Sequence, residues 1–260
     1  MSFPLRTRTR GRPGRNAGTK LVAAAPSFSN PLTGWTTDPL HGVWASDPLW
    51  TPPADGGAVS SWRNGGSVGG DLVQATGAAQ PTYRSSTVGF NNKPTVSFDG
   101  TDDVLVMDPT NIPQPYWVVM VAKVDAFAGP AGFGAKALGI GQGSAFYGLG
   151  SNTTPAWELK GATSLAGGTA DTSPHLVLSA SNGASSLIAV DGATIASGNS
   201  GTLGLALLSL GSGAIDLTTF GTRWNGDIAY AAVFTTDPTA LPEWSTFTSW
   251  VETTYGLVIA

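Results

Sequence analysis

Carboxylates and histidines are the residues of this chain that could do chemistry, and they are few. Hydrolysis of a glycoside usually needs two carboxylates, about 5–5.5 Å apart for retention or about 6.5–9.5 Å apart for inversion. The glutamates are Glu158, Glu243 and Glu252 alone, and no two aspartates stand two positions apart, the spacing that places neighbours on one face of a strand. The sequence therefore predicts no catalytic residues and no enzyme, although carboxylates from separate strands could still meet.

Metal and nucleophile chemistry receives little support from the remaining residue types. The histidines are His41 and His175, which do not form a ligand spacing, and there is no cysteine. A cysteine-ligated zinc, a disulfide and a histidine-based triad are therefore not indicated. We predict that the chain needs no cofactor.

Three aspartates crowd one turn and give the chain its weak calcium candidate. Asp99, Asp102 and Asp103 could supply several of the oxygen ligands that calcium takes. The favoured interpretation is a hairpin turn at Asp99-Gly100, because Gly tolerates the positive φ of a tight turn between two strand-like runs. Strand alternation would place Asp102 and Asp103 on opposite faces, which weakens the case for a shared ion.

Exposed aromatic rings could bind sugars by stacking. Trp157, Trp224 and Tyr147 stand near glycine-rich segments and are the candidates for a ligand surface. The alternative for each is ordinary core packing, which large aromatic side chains commonly serve.

A basic N-terminal segment precedes an acidic body. The first 20 residues hold Lys20 and five arginines with no acid, whereas the rest of the chain is acidic. The segment is too polar to fold alone, so we predict a docking arm. A disordered tail or a transit peptide would look similar, and the partner could be protein, nucleic acid or an anionic surface. The docking arginines are Arg6, Arg8, Arg10, Arg12 and Arg15.

A short repeat follows the basic segment. Trp-x-x-Asp-Pro-Leu occurs at 35–40 and again at 44–49, and Asp-Pro favours turns. We predict an extended segment in which Trp35, Trp44 and Trp50 pack on an apolar surface, either of a neighbouring subunit or of their own domain. The predicted boundary places an arm at 1–50 and a domain at 51–260.

The domain has the composition of a β protein. Charged residues are only 12% and glycine contributes 35 residues, which favours many short strands joined by tight turns. The turns at Asn182-Gly183 and Asp191-Gly192 indicate further hairpins, and Tyr116–Val124 indicates a strand covered on both faces. Periodic apolar residues over Pro238–Tyr255 predict one helix, ended by Gly256. No apolar run is long enough for a membrane span.

The chain resembles laminin-G-like, concanavalin A-like jelly-roll domains of phage virion proteins. The resemblance rests on 55–64, on 74–83, on the Pro-x-Val-x-Phe-Asp-Gly stretch within 93–105, and on 226–234 with the helix that follows. It implies an all-β, two-sheet antiparallel sandwich with an extended N-terminal arm and a short C-terminal helix.

The same resemblance implies a function, which the fold alone does not decide. It implies a non-catalytic virion protein of a phage tail or capsid surface, present in several copies or as a homo-oligomer. The arm would dock to other virion proteins, while the jelly roll would face outward and could adhere to host glycans. The alternatives are a lectin-like carbohydrate-binding module and a polysaccharide depolymerase.

Overall fold

The computed structural model describes residues 30–107, 112–126, 136–141, 148–151, 156–214 and 220–260. Within these ranges it contains 18 strands, numbered in chain order, and one α-helix, α1 (Trp244–Tyr255). The described strands pair antiparallel throughout. None of the described residues forms a helix long and apolar enough to cross a membrane.

Two eight-stranded sheets make the sandwich, and a two-stranded ribbon of β16 (Ser212–Ala214) and β17 (Phe220–Arg223) accompanies them. Sheet A consists of β1 (His41–Trp44), β4 (Thr82–Thr87), β5 (Lys93–Asp99), β7 (Tyr116–Ala126), β12 (His175–Ser181), β13 (Ser186–Val190), β14 (Ala193–Gly198) and β18 (Asn225–Phe234). Sheet B consists of β2 (Ser61–Trp62), β3 (Leu72–Val73), β6 (Leu105–Met107), β8 (Lys136–Gly141), β9 (Gly148–Ser151), β10 (Trp157–Lys160), β11 (Ser164–Gly167) and β15 (Leu205–Leu210). The predicted all-β, jelly-roll sandwich is confirmed.

Strand order places β7 and β18 at the centre of sheet A. The order is β14-β13-β12-β7-β18-β5-β4, and β1 joins β18 beyond the end of β5. Sheet B runs β11-β10-β9-β8-β15-β6-β3-β2. The central pair is the longest in the sandwich, with Asn225 opposite Ala126 at one end and Phe234 opposite Trp117 at the other.

Two apolar clusters hold the layers together, one on each side of sheet A. The inner core lies between the sheets and includes Val118 and Met120 of β7. The outer core lies between sheet A and α1 and includes Val119 and Val121 of the same strand. Burial of apolar surface drives both contacts. The prediction that this strand is covered on both faces is confirmed.

The tryptophan segment is part of the sandwich. Trp35 packs on Phe234 and Phe247 at 5.2 Å between ring centroids, and the indole N–H of Trp44 donates to the Tyr255 hydroxyl at 3.1 Å. Trp50 stacks on Trp62 at 5.7 Å. All three rings are buried within this chain, because they cover surfaces of their own domain that would otherwise meet water.

These contacts correct two expectations. Trp35, Trp44 and Trp50 are not exposed for docking to another protein, and β1 pairs with β18 along the whole of its length. Residues 30–50 therefore belong to the sandwich, so that the predicted boundary at residue 50 does not separate an arm from a domain. The five predicted docking arginines lie outside the described residues.

The C-terminal helix is shorter than the sequence predicts. A 3-10 turn occupies Pro238–Ala240, and α1 begins only at Trp244. Pro242 explains the interruption, because a residue before proline is disfavoured in the helical region, and Leu241 is extended at ψ 143°. The helix ends as predicted, with Gly256 in the left-handed region at φ 74°.

Of the three predicted hairpin turns, two are confirmed and one is wrong. Asn182-Gly183 joins the paired strands β12 and β13, and Asp191-Gly192 joins β13 and β14. Asp191 and Gly192 have φ of 48° and 85°, as a tight two-residue hairpin requires. Asp99-Gly100 does not form a hairpin, because β5 belongs to sheet A and β6 to sheet B. The turn carries the chain from one sheet to the other.

The burial of the tryptophan segment predicts its effect on stability. We expect Trp44→Ala to lower the free energy of unfolding by about 3–5 kcal/mol, the usual cost of removing a buried tryptophan. Leu49→Ala in the same segment is the control and should change it little, because Leu49 is 67% exposed. Urea unfolding followed by fluorescence measures both. A Trp44→Ala protein as stable as the control would mean that the segment is not part of the core.

Candidate functional site

A groove crosses the outer face of sheet A where α1 leaves the sheet uncovered. Its volume is about 280 Å³. We call it the outer groove. The strands of sheet A and the segment before α1 line it, through Trp117, Leu176, Leu178, Leu187, Ala189, Gly192, Thr194, Asp237, Thr239 and Trp244.

Strand register explains why these side chains meet. Trp117 of β7 lies opposite Ala180, which lies opposite Leu187. In the next row, Leu178 lies opposite Ala189. Because alternate residues of a strand share a face, both rows point outward together. Ala189 is smaller than its neighbours Leu178 and Leu187, so it leaves space between them in the floor of the groove.

Aromatic rings form two of the walls. Trp117 and Trp244 are both only partly buried, although each contributes to the outer core. Trp244 lies 6.5 Å from Trp35 and 5.5 Å from Phe247, measured between ring centroids. Packing on one side therefore holds the Trp244 ring in place, while another part of the ring remains open to the groove.

A carboxylate with a fixed orientation stands on the rim. Asp237 Oδ1 accepts from the Thr239 backbone N–H at 2.9 Å and from the Thr239 hydroxyl at 2.8 Å. These bonds cap the 3-10 turn that precedes α1. Among the described residues Asp237 Oδ2 accepts no hydrogen bond, so that oxygen is available to a ligand. Thr194 and Thr239 are exposed and add hydroxyls to the rim.

Sequence reasoning missed this groove, yet a signal for it was present. Leu176, Val177 and Leu178 are consecutive apolar residues, so both faces of β12 are apolar. Such a strand needs a cover on its outer face as well as its inner face. The apolar positions of β12 indicate that another layer packs on its outer face, but they do not indicate which part of that face stays exposed.

Trp157 and Trp224, two of the aromatic residues predicted to bind sugar, are not in the groove. Trp157 is 2% exposed and Trp224 is fully buried, both in the inner core. Neither ring offers a face to a ligand, because both are packed in the core between the two sheets. Tyr147 lies outside the described residues.

The three aspartates of the Asp99-Gly100 turn lie close together. One carboxylate oxygen from each of Asp99, Asp102 and Asp103 falls within 4.8 Å of the others. The expectation that Asp102 and Asp103 face opposite ways is wrong, because these residues form a turn and strand alternation does not apply. We call this group the acidic corner. Its oxygen donors are of the type that calcium binds, and calcium binding there stays a prediction.

Hydrogen bonds within the acidic corner shape the crossing between the sheets. Asp99 Oδ1 accepts from the Thr101 backbone N–H at 2.7 Å, and Asp103 Oδ2 accepts from the Asp99 backbone N–H at 2.9 Å. Burial raises the pKa of Asp103 to about 6, and the neighbouring charges of Asp99 and Asp102 also raise it. The Asp99 backbone hydrogen bond and the Arg223 charge oppose this rise.

A second charged cluster lies beside the Asp191-Gly192 turn, which borders the outer groove. His175 donates from Nδ1 to Asp191 at 2.6 Å and from Nε2 to Asp171 at 3.0 Å when both nitrogens are protonated. Burial alone lowers the pKa of His175, but the hydrogen bonds to Asp191 and Asp171 and their charges outweigh burial and raise it. Gly192, the next residue after Asp191, lines the outer groove.

Another hollow lies at the β2 edge of sheet B, with a volume of about 480 Å³. Trp50 borders it but is buried, and its indole N–H donates to the Ser61 carbonyl at 3.1 Å. Arg63 also borders it and pairs with Asp47. The hollow is shallow and offers no open aromatic face, so the outer groove is the stronger candidate site.

Comparison with known proteins finds similarity in structure only. The sequence matches no protein-family profile and no curated protein. Trypanosoma rangeli sialidase with 2,3-difluorosialic acid as a covalent intermediate aligns with a TM-score of 0.51 at 15% identity, over 82% of this chain and 32% of the sialidase. The same sialidase with the inhibitor DANA gives 0.51 at 16% identity over the same shares. Domain 4 of a GH43 arabinanase from Geobacillus stearothermophilus, with arabinotriose, gives 0.46 at 11% identity over 66% of this chain and 81% of that domain.

The sialidase likeness shows that the β-sandwich fold is shared. The chain spans about a third of the length of the sialidase chains. The comparison overturns the prediction of a non-catalytic phage structural protein, because the proteins that share this fold over about a third of their length are sialidases, which act on carbohydrate. The prediction that the chain is not an enzyme is overturned by the same finding. The predicted phage-particle location and virion partners stay predictions.

The acidic corner predicts a pH effect on stability. Because the pKa of Asp103 is higher in the folded chain than in the unfolded one, its contribution to stability is full below about pH 3.8 and is lost as the pH rises through about 6. Asp103→Asn should therefore stabilise the protein at about pH 8, by about 3 kcal/mol for a shift of about two pKa units. Urea unfolding in EDTA measures this.

Asp102→Asn is the matched control for this experiment, because it removes a neighbouring charge that is less buried. Its gain at the same pH should be smaller. An Asp103→Asn protein that is less stable than wild type at about pH 8 would contradict the assigned burial effect.

The two histidines predict opposite pH effects. The raised pKa of His175 means that its contribution is full below about pH 6.5 and is lost as the pH rises through the folded value. Burial lowers the pKa of His41, so its contribution is present above about pH 6.5 and is lost as the pH falls. In unfolding curves against pH, His175→Gln should remove the loss on the alkaline side and His41→Gln the loss on the acid side. Equal curves for both variants would refute the assignment.

Proposed function

We propose that this domain binds carbohydrate in the outer groove and acts in carbohydrate processing. The observation that carries the proposal is the pairing of partly open tryptophan rings, Trp117 and Trp244, with the oriented carboxylate of Asp237 in one groove. The sialidases that share this fold over part of their length add support, because their structures contain a sialic acid derivative or an inhibitor.

The chemistry of the groove suits a sugar. One face of a sugar ring consists of C–H groups, which can pack on the flat face of an aromatic ring, while the hydroxyls around the ring need hydrogen-bond partners. Trp117 and Trp244 offer the apolar faces, and Asp237, Thr194 and Thr239 offer polar partners on the rim. A volume of about 280 Å³ is close to the lower end of small-ligand sites, which span about 300–1,000 Å³. A short stretch of sugar would fit.

The laminin-G-like, concanavalin A-like assignment is part of this proposal. Three stretches that carry the resemblance form regular elements of the sandwich, which supports the assignment. The Pro-x-Val-x-Phe-Asp stretch lies in β5, and the closing strand and helix are β18 and α1. Domains of this resemblance include lectins and glycoside-acting enzymes, in agreement with a role in carbohydrate processing.

Hydrolysis in this groove would need more than the lining supplies. Among the described residues that line it, Asp237 is the one carboxylate, whereas most glycosidases use a pair. Binding is the function that the groove itself supports. Because the sialidases with this fold are enzymes, product release belongs in the same assay.

A glycan array with the full chain tests the proposal, followed by calorimetry on the sugar that binds best. Trp117→Ala and Trp244→Ala should each weaken binding about tenfold, as truncation of a central aromatic contact usually does. Trp250→Ala is the matched control, since Trp250 is a partly buried outer-core tryptophan that does not line the groove. Its binding should persist after correction for the folded fraction.

Released reducing ends in the same samples would extend the proposal to hydrolysis. Binding that survives both groove substitutions would place the carbohydrate elsewhere and refute the site. Absence of binding to every sugar on the array would refute the function.

A further inference from the structure

The charge of the outer groove limits the class of sugar that it can bind well. Among the described residues that line the groove, Asp237 is the only charged one, and none is an arginine, lysine or histidine. A site built for an anionic sugar would place a cation at the sugar carboxylate, most often an arginine that can make paired hydrogen bonds. The described lining has no such group.

The orientation of Asp237 strengthens this interpretation. Both bonds from Thr239 go to Oδ1 and fix the carboxylate on the rim, while Oδ2 accepts no bond among the described residues. An oxygen of this kind accepts hydrogen bonds from sugar hydroxyls, and a charged acceptor makes them stronger than a neutral one. The same oxygen repels a second carboxylate.

The wider charge distribution adds to the repulsion. From residue 30 onward the chain holds all 17 acidic residues but only seven of its 13 basic ones. The described domain therefore has an excess of negative charge, which disfavours the approach of anionic ligands at low salt.

From these observations we propose that the outer groove prefers uncharged sugars to sugars that carry a carboxylate, such as sialic acids and uronic acids. The inference rests on the proposed function, since it names the ligand class of the same groove. It departs from the fold neighbours, whose structures hold sialic acid derivatives.

The expected discrimination is modest but measurable. A sugar carboxylate about 4 Å from Asp237 costs about 1 kcal/mol even in water-like surroundings, which corresponds to about fivefold in affinity. The cost falls as salt rises, because ions screen exposed charges. An anionic sugar would also lose the hydrogen bond that a sugar hydroxyl donates to Asp237, which would lower its affinity further.

Matched ligand pairs provide the test. Calorimetry would compare the best neutral oligosaccharide from the array with its C6-oxidised form, in which a hydroxymethyl becomes a carboxylate on the same ring, and lactose with sialyllactose. Wild type should bind the neutral member of each pair at least about fivefold more tightly at low salt, and less selectively at high salt.

Asp237→Asn separates charge from shape. Asparagine keeps an oxygen that can accept from Thr239, so the 3-10 turn before α1 should remain capped. The variant should bind the oxidised ligand more tightly than wild type does, while binding of the neutral ligand stays equal or weakens. Asp125→Asn is the control for net charge, because it removes one acidic group outside the groove lining, and it should leave the preference unchanged.

The outcomes distinguish the two proposals. If wild type binds both members of a pair equally, or if Asp237→Asn leaves the preference unchanged, this inference is wrong while carbohydrate binding stands. If wild type prefers the anionic member, the inference is also wrong. If no sugar binds at all, the proposed function fails and the ligand class fails with it.

Discussion

The outer face of sheet A is apolar, and the rest of the molecule depends on how that face is covered. Val119 and Val121 of β7 and Tyr230 of β18 point away from the inner core, so a sandwich of two sheets alone would leave them in water. Sheets with two apolar faces need a layer on each side. Sheet B supplies one layer, while α1 and the segment from residue 30 supply the other.

This requirement explains why the N-terminal and C-terminal parts of the described chain are interlocked. The hydroxyl of Tyr230 donates to the Pro31 carbonyl at 3.2 Å, and the Trp44 indole donates to Tyr255 in the helix. Each contact joins residues that are about 200 positions apart. The second layer is therefore built from both ends of the domain, and its tryptophans are structural because the sheet beneath them is apolar.

Local signals predicted the parts of the fold that local chemistry decides. Asp191-Gly192 forms a hairpin because both residues accept positive φ and the flanking strands are already adjacent. Asp99-Gly100 carries the same dipeptide, yet the chain crosses to the other sheet there. A turn signal fixes a change of direction, whereas the choice of pairing partner depends on strands far away in sequence, such as β18 for β5.

The candidate site was beyond prediction for a related reason. Trp157 and Trp224 stand in glycine-rich surroundings that suggested exposure, but burial is decided by the packing of the two sheets. Trp117 and Trp244, about 130 residues apart, come together only when α1 has docked. Their types were visible in the sequence, but their meeting depends on tertiary structure. The acidic corner is similar, since its carboxylates converge because the chain turns there.

The groove follows from incomplete coverage of the outer face. Trp244 is the part of α1 that borders the groove, and β13 and β14 carry Ala189 and Thr194 in the row where β7 carries Val119. Trp244 belongs to both regions, because its contacts with Trp35 and Phe247 stabilise the outer core while its remaining surface lines the groove. In the proposed function, one part of the Trp244 ring stabilises the outer core and another part would contact the ligand. A ligand that packed against Trp117, Trp244 and Leu178 would bury apolar surface, so the hydrophobic effect that stabilises the fold would also favour the proposed binding.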